Sequence, residues 1–225
     1  MTMSSLNGGT QRNRAEAGAT MTRAVREAVA AIAAEGQGTL VLHGPGPAGR
    51  AAAGMLPRLP EACFLETAGA AGPSPAAGAA PDGAPGPSPA AGADVAEALR
   101  QAVAHGLGQL ILLGTADDLA PYAGTGADGD GGGAPLAEIT TDMGGPPALA
   151  AEVAAAGSVR RACELWDDAG LLGPCGRELC RRVAGDLERA AAEAAGTGRS
   201  PVAVQVVLLD SGGDRMVGMY GRLQR

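Results

Sequence analysis

The chain has 225 residues, a formal net charge of -7, and 17 basic residues that are all arginine. A lysine-free chain with a pI near 4.8 is not built to hold phosphate backbones, which excludes nucleic acid as a partner class. No apolar run reaches the roughly 18 residues that span a bilayer, and residues 1–20 lack the apolar centre of a secretory signal, so the expected setting is cytoplasmic, with no membrane partner.

The length allows one sizeable domain. Aromatic residues are only 2%, so the 46% hydrophobic content is mostly alanine and the core must rest on Leu, Val and Ile. Cys63, Cys163, Cys175 and Cys180 form no C-x-x-C pair and lie far in sequence from His43 and His105, which implies neither a zinc site nor a disulfide framework.

Residues 1–20 read as a disordered leader, with Met21 a possible alternative start, and 21–225 as a single α/β domain. A helix follows, with Val25, Val29 and Ile32 at helical spacing, Thr22 as N-cap and Gly36 at its far end. Thr39 to His43 is a continuous apolar run ended by glycine, the pattern of a strand buried on both faces of a parallel sheet. A glycine loop, a helix from about Arg50 to Leu56 and a strand from Ala62 to Glu66 complete a βαβ unit.

Residues 68–92 are a low-complexity insertion in which GPSPAAGA occurs twice, and its six prolines predict an extended loop. Ala93 to His105 predicts an amphipathic helix with Asp94 at its start, and Gln109 to Leu113 a third buried strand. Residues 123–135 are a second glycine-rich loop. Helices at about Pro147–Ala155, Val159–Ala169 and Arg177–Ala195 precede the strongest strand, Val202–Leu209, which turns at Asp210–Asp214 into an antiparallel return strand over Arg215–Tyr220. The whole is an α/β fold with a mainly parallel sheet of about four strands, right-handed crossovers and flanking helices.

Ligands of such folds bind outside the carboxyl ends of the strands. Gly44, Gly46 and Gly49 fit G-x-G-x-x-G literally, but Pro45 and Pro47 remove N–H donors that a phosphate cradle uses, so the loop reads either as a ligand contact or as a tight turn. His43 stands where a general base or ligand contact would, or is a structural side chain. Glu66 occupies a position suited to a ribose hydroxyl. Asp117 and Asp118 are either an acid/base pair or caps of a short helix, and capping fits better. His105 suits a helix C-terminus. Arg160–Arg161 and Arg181–Arg182 read as surface pairs, with a clamp for substrate carboxylates the lesser alternative, and no serine lies in a G-x-S-x-G setting.

Three segments in order carry a resemblance: TLVLHGPGPAGRAAAGMLPRLPEACFLET, DVAEALRQAVAHGLGQLILLGTADDLAPYAG and PVAVQVVLLDSGGDRMVG. They resemble the C-terminal α/β portion of the cobalt-precorrin-5B (C1)-methyltransferase family. The likeness runs from about Met21 to Gly218. Where that family's pattern has H-x-G-K, this chain has Thr115, Ala116, Asp117 and Asp118, and Thr140-Thr141-Asp142 stands for its T-H-S stretch. The resemblance implies a methyltransferase of cobalamin biosynthesis, S-adenosylmethionine as methyl donor, a cobalt-containing tetrapyrrole as substrate, and a companion chain that supplies the family's N-terminal half. On this reading Gly44, Gly46, Gly49, Glu66 and Gly114 serve the cofactor, and His43, Thr115 and Asp117 the substrate. The alternative is a non-catalytic α/β binding or interaction domain derived from such an enzyme.

Overall fold

The computed structural model describes residues 22–67, 94–123 and 133–221. The expected leader, the Pro-rich insertion and residues 124–132 of the second glycine-rich loop lie outside them. Helix α1 spans 22–34, with Val25, Val29 and Ile32 buried on one stripe, and the chain then turns through Gly36 at φ +73°.

Five strands form one sheet in the order β2-β1-β3-β4-β5: β1 Thr39–His43, β2 Phe64–Glu66, β3 Gln109–Gly114, β4 Ala203–Leu209 and β5 Met216–Tyr220. The first four are parallel and β5 returns antiparallel, with a register shift at Leu208–Leu209, as the apolar runs and the Asp210 turn imply. Because successive side chains of a strand alternate faces, Leu40, Leu42, Leu110, Leu112, Val204, Val206 and Leu208 enter the larger core, and Val41, Ile111, Leu113, Val207 and Leu209 the smaller one.

The larger core is covered by α1, α3 (Val95–Ala104), α5 (Gly133–Asp142), α7 (Val159–Asp168) and α8 (Leu172–Ala195). Among the described helices only α2 (Pro47–Met55) covers the smaller one, through Ala48 and Ala52. Short elements α4 (Ala116–Leu119) and α6 (Pro147–Ala154) complete the fold. Asp94 caps α3 by accepting N–H bonds from Ala96 and Glu97, and His105 closes it, as expected.

Four expectations are corrected. Helix α2 starts at Pro47 rather than Arg50, since a proline at the first position loses no helical bond. Helix α8 starts at Leu172 rather than Arg177, because Pro174 stands in the first turn, where its missing N–H has no intrahelical partner. Helix α5 occupies part of the expected glycine-rich loop: a methyl on Gly133 would stand 2.5 Å from the Ala154 carbonyl oxygen, so glycine here serves close approach to α6. Ala62 and Cys63 belong to a 3-10 turn, leaving β2 only three residues.

Two polar clusters fasten the helices. Trp166, wholly buried, donates Nε1–H to Thr140 Oγ1 at 2.8 Å, and Thr140 donates to the Leu136 carbonyl at 2.8 Å. Arg182 is not the surface side chain expected: it is 18% exposed and donates to Glu138 (3.1 Å) and Asp142 (2.6 Å) on α5 and to Glu178 (3.2 Å) on its own helix. The hydrogen bond from Arg181, joined by Arg182, holds the nearly buried Glu178 carboxyl below its usual range against the opposing effect of burial.

Thr140→Val leaves the buried indole N–H unpaired, and a loss of about 1–3 kcal/mol is expected, read from urea unfolding followed by the fluorescence of this tryptophan. Glu178 has a folded pKa below its unfolded value, so its contribution is present above about pH 4.3 and is lost as pH falls through the lower folded value. The unfolding midpoint of Glu178→Gln should therefore drop less between pH 6 and pH 3 than that of the unmodified chain.

Candidate functional site

The chain leaves β1 toward β2 through α2 on one face of the sheet, then crosses to β3 through α3 on the other. The carboxyl ends of β1 and β3 are therefore the switch point of the fold, where a crevice for ligands is expected. Three loops meet on this edge: 44–46, Thr115–Asp118, and the β4–β5 turn from Asp210 to Arg215.

Asp118 fills the switch point. Its Oδ2 accepts from the N–H and the hydroxyl of Thr115, each at 2.9 Å, closing the capping box of α4. A methyl on Gly44 would stand 2.5 Å from Asp118 Oδ2, and one on Gly114 2.7 Å from its Cβ. These two glycines thus receive a carboxylate of the chain itself, and the Gly44 N–H donates to Leu113 O at 2.9 Å. Gly46, at φ +70°, is the N-cap of α2 and sets the sharp entry into Pro47.

His43 turns the other way. Its Nδ1 donates to Gly44 O at 2.9 Å, and its ring lies where a methyl on Gly49 would be 2.9 Å away. Its carbonyl accepts from the N–H and hydroxyl of Thr67 at 2.8 and 3.1 Å. Glu66 is exposed at the end of β2, in register with His43. His43, Gly49 and Glu66 therefore gather beside α2 and β2, apart from Thr115 and Asp117.

Thr115 and Asp117 line a cleft of about 220 Å³ between α4, α7 and the β4–β5 turn. Leu208 and Val217 add apolar surface; Arg160, Cys163, Glu164, Asp210 and Arg215 complete its polar wall. Arg215 lies 3.7 Å from Asp210, and Glu164 takes Arg161 at 3.0 Å and Arg160 at 3.9 Å. Burial, then the neighbouring Asp118, pushes the Asp117 carboxyl up, opposed by Arg160. Burial opposes ionisation of Asp210 too, but the N–H groups of Arg215, Asp214 and Gly213 bring its carboxyl below the usual range. Burial, with Asp117 nearby, pushes the Cys163 thiol up to about 12, so it is no nucleophile at neutral pH.

Glu164 and Arg215 are cleft residues that sequence reasoning did not single out, and Arg160 and Cys163 were named there without being placed in a cleft. A signal existed on α7, where Arg160, Cys163, Glu164 and Asp167 recur at i, i+3, i+4 and i+7, a single stripe of the helix that the cleft receives. Among the described residues no group of three or more His, Cys, Asp or Glu is placed to hold a metal ion, and no described helix is long and apolar enough to cross a membrane.

Residues 127–218 match the family described as CbiD, C-terminal domain. Over 205 residues the chain is 37% identical to the cobalt-precorrin-5B C(1)-methyltransferase of Salinispora tropica, a match covering 88% of this chain and 45% of that protein. The protein of the same name from Salinispora arenicola is 36% identical over 89% of this chain and 46% of its own, and that from Rubrobacter xylanophilus 36% identical over 72% and 37%. The chain spans about half the length of the curated Salinispora relatives it matches, and no solved structure gives a significant match. Residues 127–218, which contain α5 to α8 and β4, thus belong to the CbiD C-terminal domain family.

Proposed function

We propose that this chain is the C-terminal domain of a cobalamin-biosynthesis methyltransferase that moves a methyl group from S-adenosylmethionine to C1 of cobalt-precorrin-5B, a cobalt-containing tetrapyrrole. The observation that carries this reading is the 37% identity along 88% of the chain to a protein of that name. The family's other half is the partner required.

The cleft fits a methyl donor bearing a sulfonium and an ammonium group: Asp117, Glu164, Asp167 and Asp210 outnumber Arg160 and Arg215 along its wall. When bound, S-adenosylmethionine supplies a methyl group on a positively charged sulfur. Methyl transfer from sulfonium is mainly a matter of positioning, so the chain's task is to orient donor and acceptor and to exclude water. Asp117 faces the donor's positive charge. Arg160 and Arg215 pair with carboxylates of the tetrapyrrole. Gly114 and Gly44 hold the floor beside Thr115, while Gly46 sets the entry into α2, on whose Pro47 the β4–β5 turn leans, with Gly49, His43 and Glu66 at its outer flank.

A second reading, a non-catalytic binding domain, draws on Asp118, whose carboxylate closes the switch point and, with Asp117, repels an anionic substrate there. The two readings part in one assay: the full chain is combined with the separately produced N-terminal half of the Salinispora tropica relative and supplied with radiolabelled S-adenosylmethionine and cobalt-precorrin-5B. Transfer of label to the tetrapyrrole is expected, and its absence, with both halves folded, establishes the second reading.

In that assay Arg160→Ala with Arg215→Ala should reduce kcat/KM for the tetrapyrrole by about tenfold or more, since a charged hydrogen bond is worth roughly 1.5–3 kcal/mol. Donor affinity, measured calorimetrically, should fall as pH drops through the raised pKa of Asp117, because the neutral acid no longer attracts a cation. Asp117→Asn should weaken binding at neutral pH and flatten that dependence.

A further inference from the structure

We infer, on the strength of the reading above, that the carboxyl edge of the sheet is the surface on which the family's N-terminal half docks, and that this half adds a further wall to the cleft.

Chain direction is the first argument. Helix α1 has 13 residues, about 20 Å long, and only residues 35–38 separate it from β1, about 17 Å long, so it runs back along the sheet. Its neighbours agree. Arg26 lies close enough to lower the pKa of Glu97, in the first turn of α3, whereas Glu35 acts on Cys63 just ahead of β2. Residue 22 therefore stands level with the carboxyl ends of the strands. On the reading above, a domain joined ahead of this chain connects to α1 at this edge.

The cleft itself is the second argument. At about 220 Å³ it is smaller than the roughly 300–1,000 Å³ of complete small-molecule sites, and among the described residues its walls come from α4, α7, the start of α8 and the β4–β5 pair with its turn. The third is the rim. Met216 is half exposed at the start of β5, between the cleft residues Arg215 and Val217, which gives an apolar anchor at the end of a wall that carries charges of both signs. The turn next to it is braced: a methyl on Gly213 would stand 2.7 Å from Pro47 Cβ, so the rim needs little ordering on association. Of the other exposed large apolar side chains, Met55 lies at the far end of α2, on the opposite edge, and Met219 and Tyr220 lie farther along the outer strand.

The test mixes the full chain with the N-terminal half of the Salinispora tropica relative and follows association by calorimetry and sedimentation, with amide exchange on both. A one-to-one complex is expected, with exchange slowed at residues 115–119 and 210–216. Met216→Asp and Arg160→Glu should each weaken it at least tenfold, and Met55→Asp should leave it unchanged. The inference is overturned if no complex forms, if Met55→Asp weakens it as much, or if exchange slows elsewhere while the carboxyl edge is unaffected. Exchange on the unmodified chain decides the matter even where a variant fails to fold. A complex protected at this edge that transfers no methyl group contradicts the catalytic reading and leaves the docking surface standing, whereas methyl transfer with protection elsewhere does the reverse.

Discussion

Close approach between helix α8 and the β4–β5 pair is the constraint on which the carboxyl edge depends. A methyl on Gly176 would come within 2.9 Å of Leu208, and one on Gly218 within 2.8 Å of the Gly176 carbonyl carbon. Backbones meet there with almost no side chain between them. This seats β5 against both β4 and α8, and so places the Asp210–Arg215 turn over the cleft. In a chain with one tryptophan, one phenylalanine and two tyrosines, volume cannot come from large rings; closeness does what bulk does elsewhere, and native packing density is reached by bringing elements together. The same device recurs where Gly133 meets the Ala154 carbonyl and where Ala48 and Ala52 seat α2 on the smaller core.

Asp118 shows how this economy shapes the site. The switch point of a doubly wound sheet usually offers free N–H groups and space to a ligand. Here two glycines create the space, and a carboxylate four residues after the second of them fills it while satisfying the Thr115 N–H and hydroxyl. Binding surface is thereby shifted toward α7 and the β4–β5 turn, where carboxylates and guanidinium groups stand side by side.

Much of the architecture was legible because buried parallel strands are written as uninterrupted apolar runs: Thr39–His43, Gln109–Leu113 and Ala203–Leu209 need no partner to be recognised. Helix α5 was not legible, since Gly133 and Pro135 are loop residues by local preference and their helical placement is decided by α6 packed against them. The early start of α8 was hidden similarly by Pro174 and Gly176, which weaken a helix in isolation and permit one against a sheet. At the site, Thr115 and Asp117 could be named from the end of β3. Arg160 could be named only as one member of a surface arginine pair, and Arg215 not at all, because they come to the cleft from elements 55 residues apart whose meeting is a property of the fold.

The lysine-free composition acquires a particular meaning in this setting. Every positive charge on the cleft wall is a guanidinium, which stays protonated throughout the range in which proteins are handled. The wall has no histidine or tyrosine, and the Cys163 thiol ionises only at about 12. No positive charge of the cleft wall is lost, then, on going from neutral into alkaline solution. A ligand anion paired with these guanidinium groups keeps its partners there, and a weakening of its binding under alkaline conditions has to come from the ligand itself.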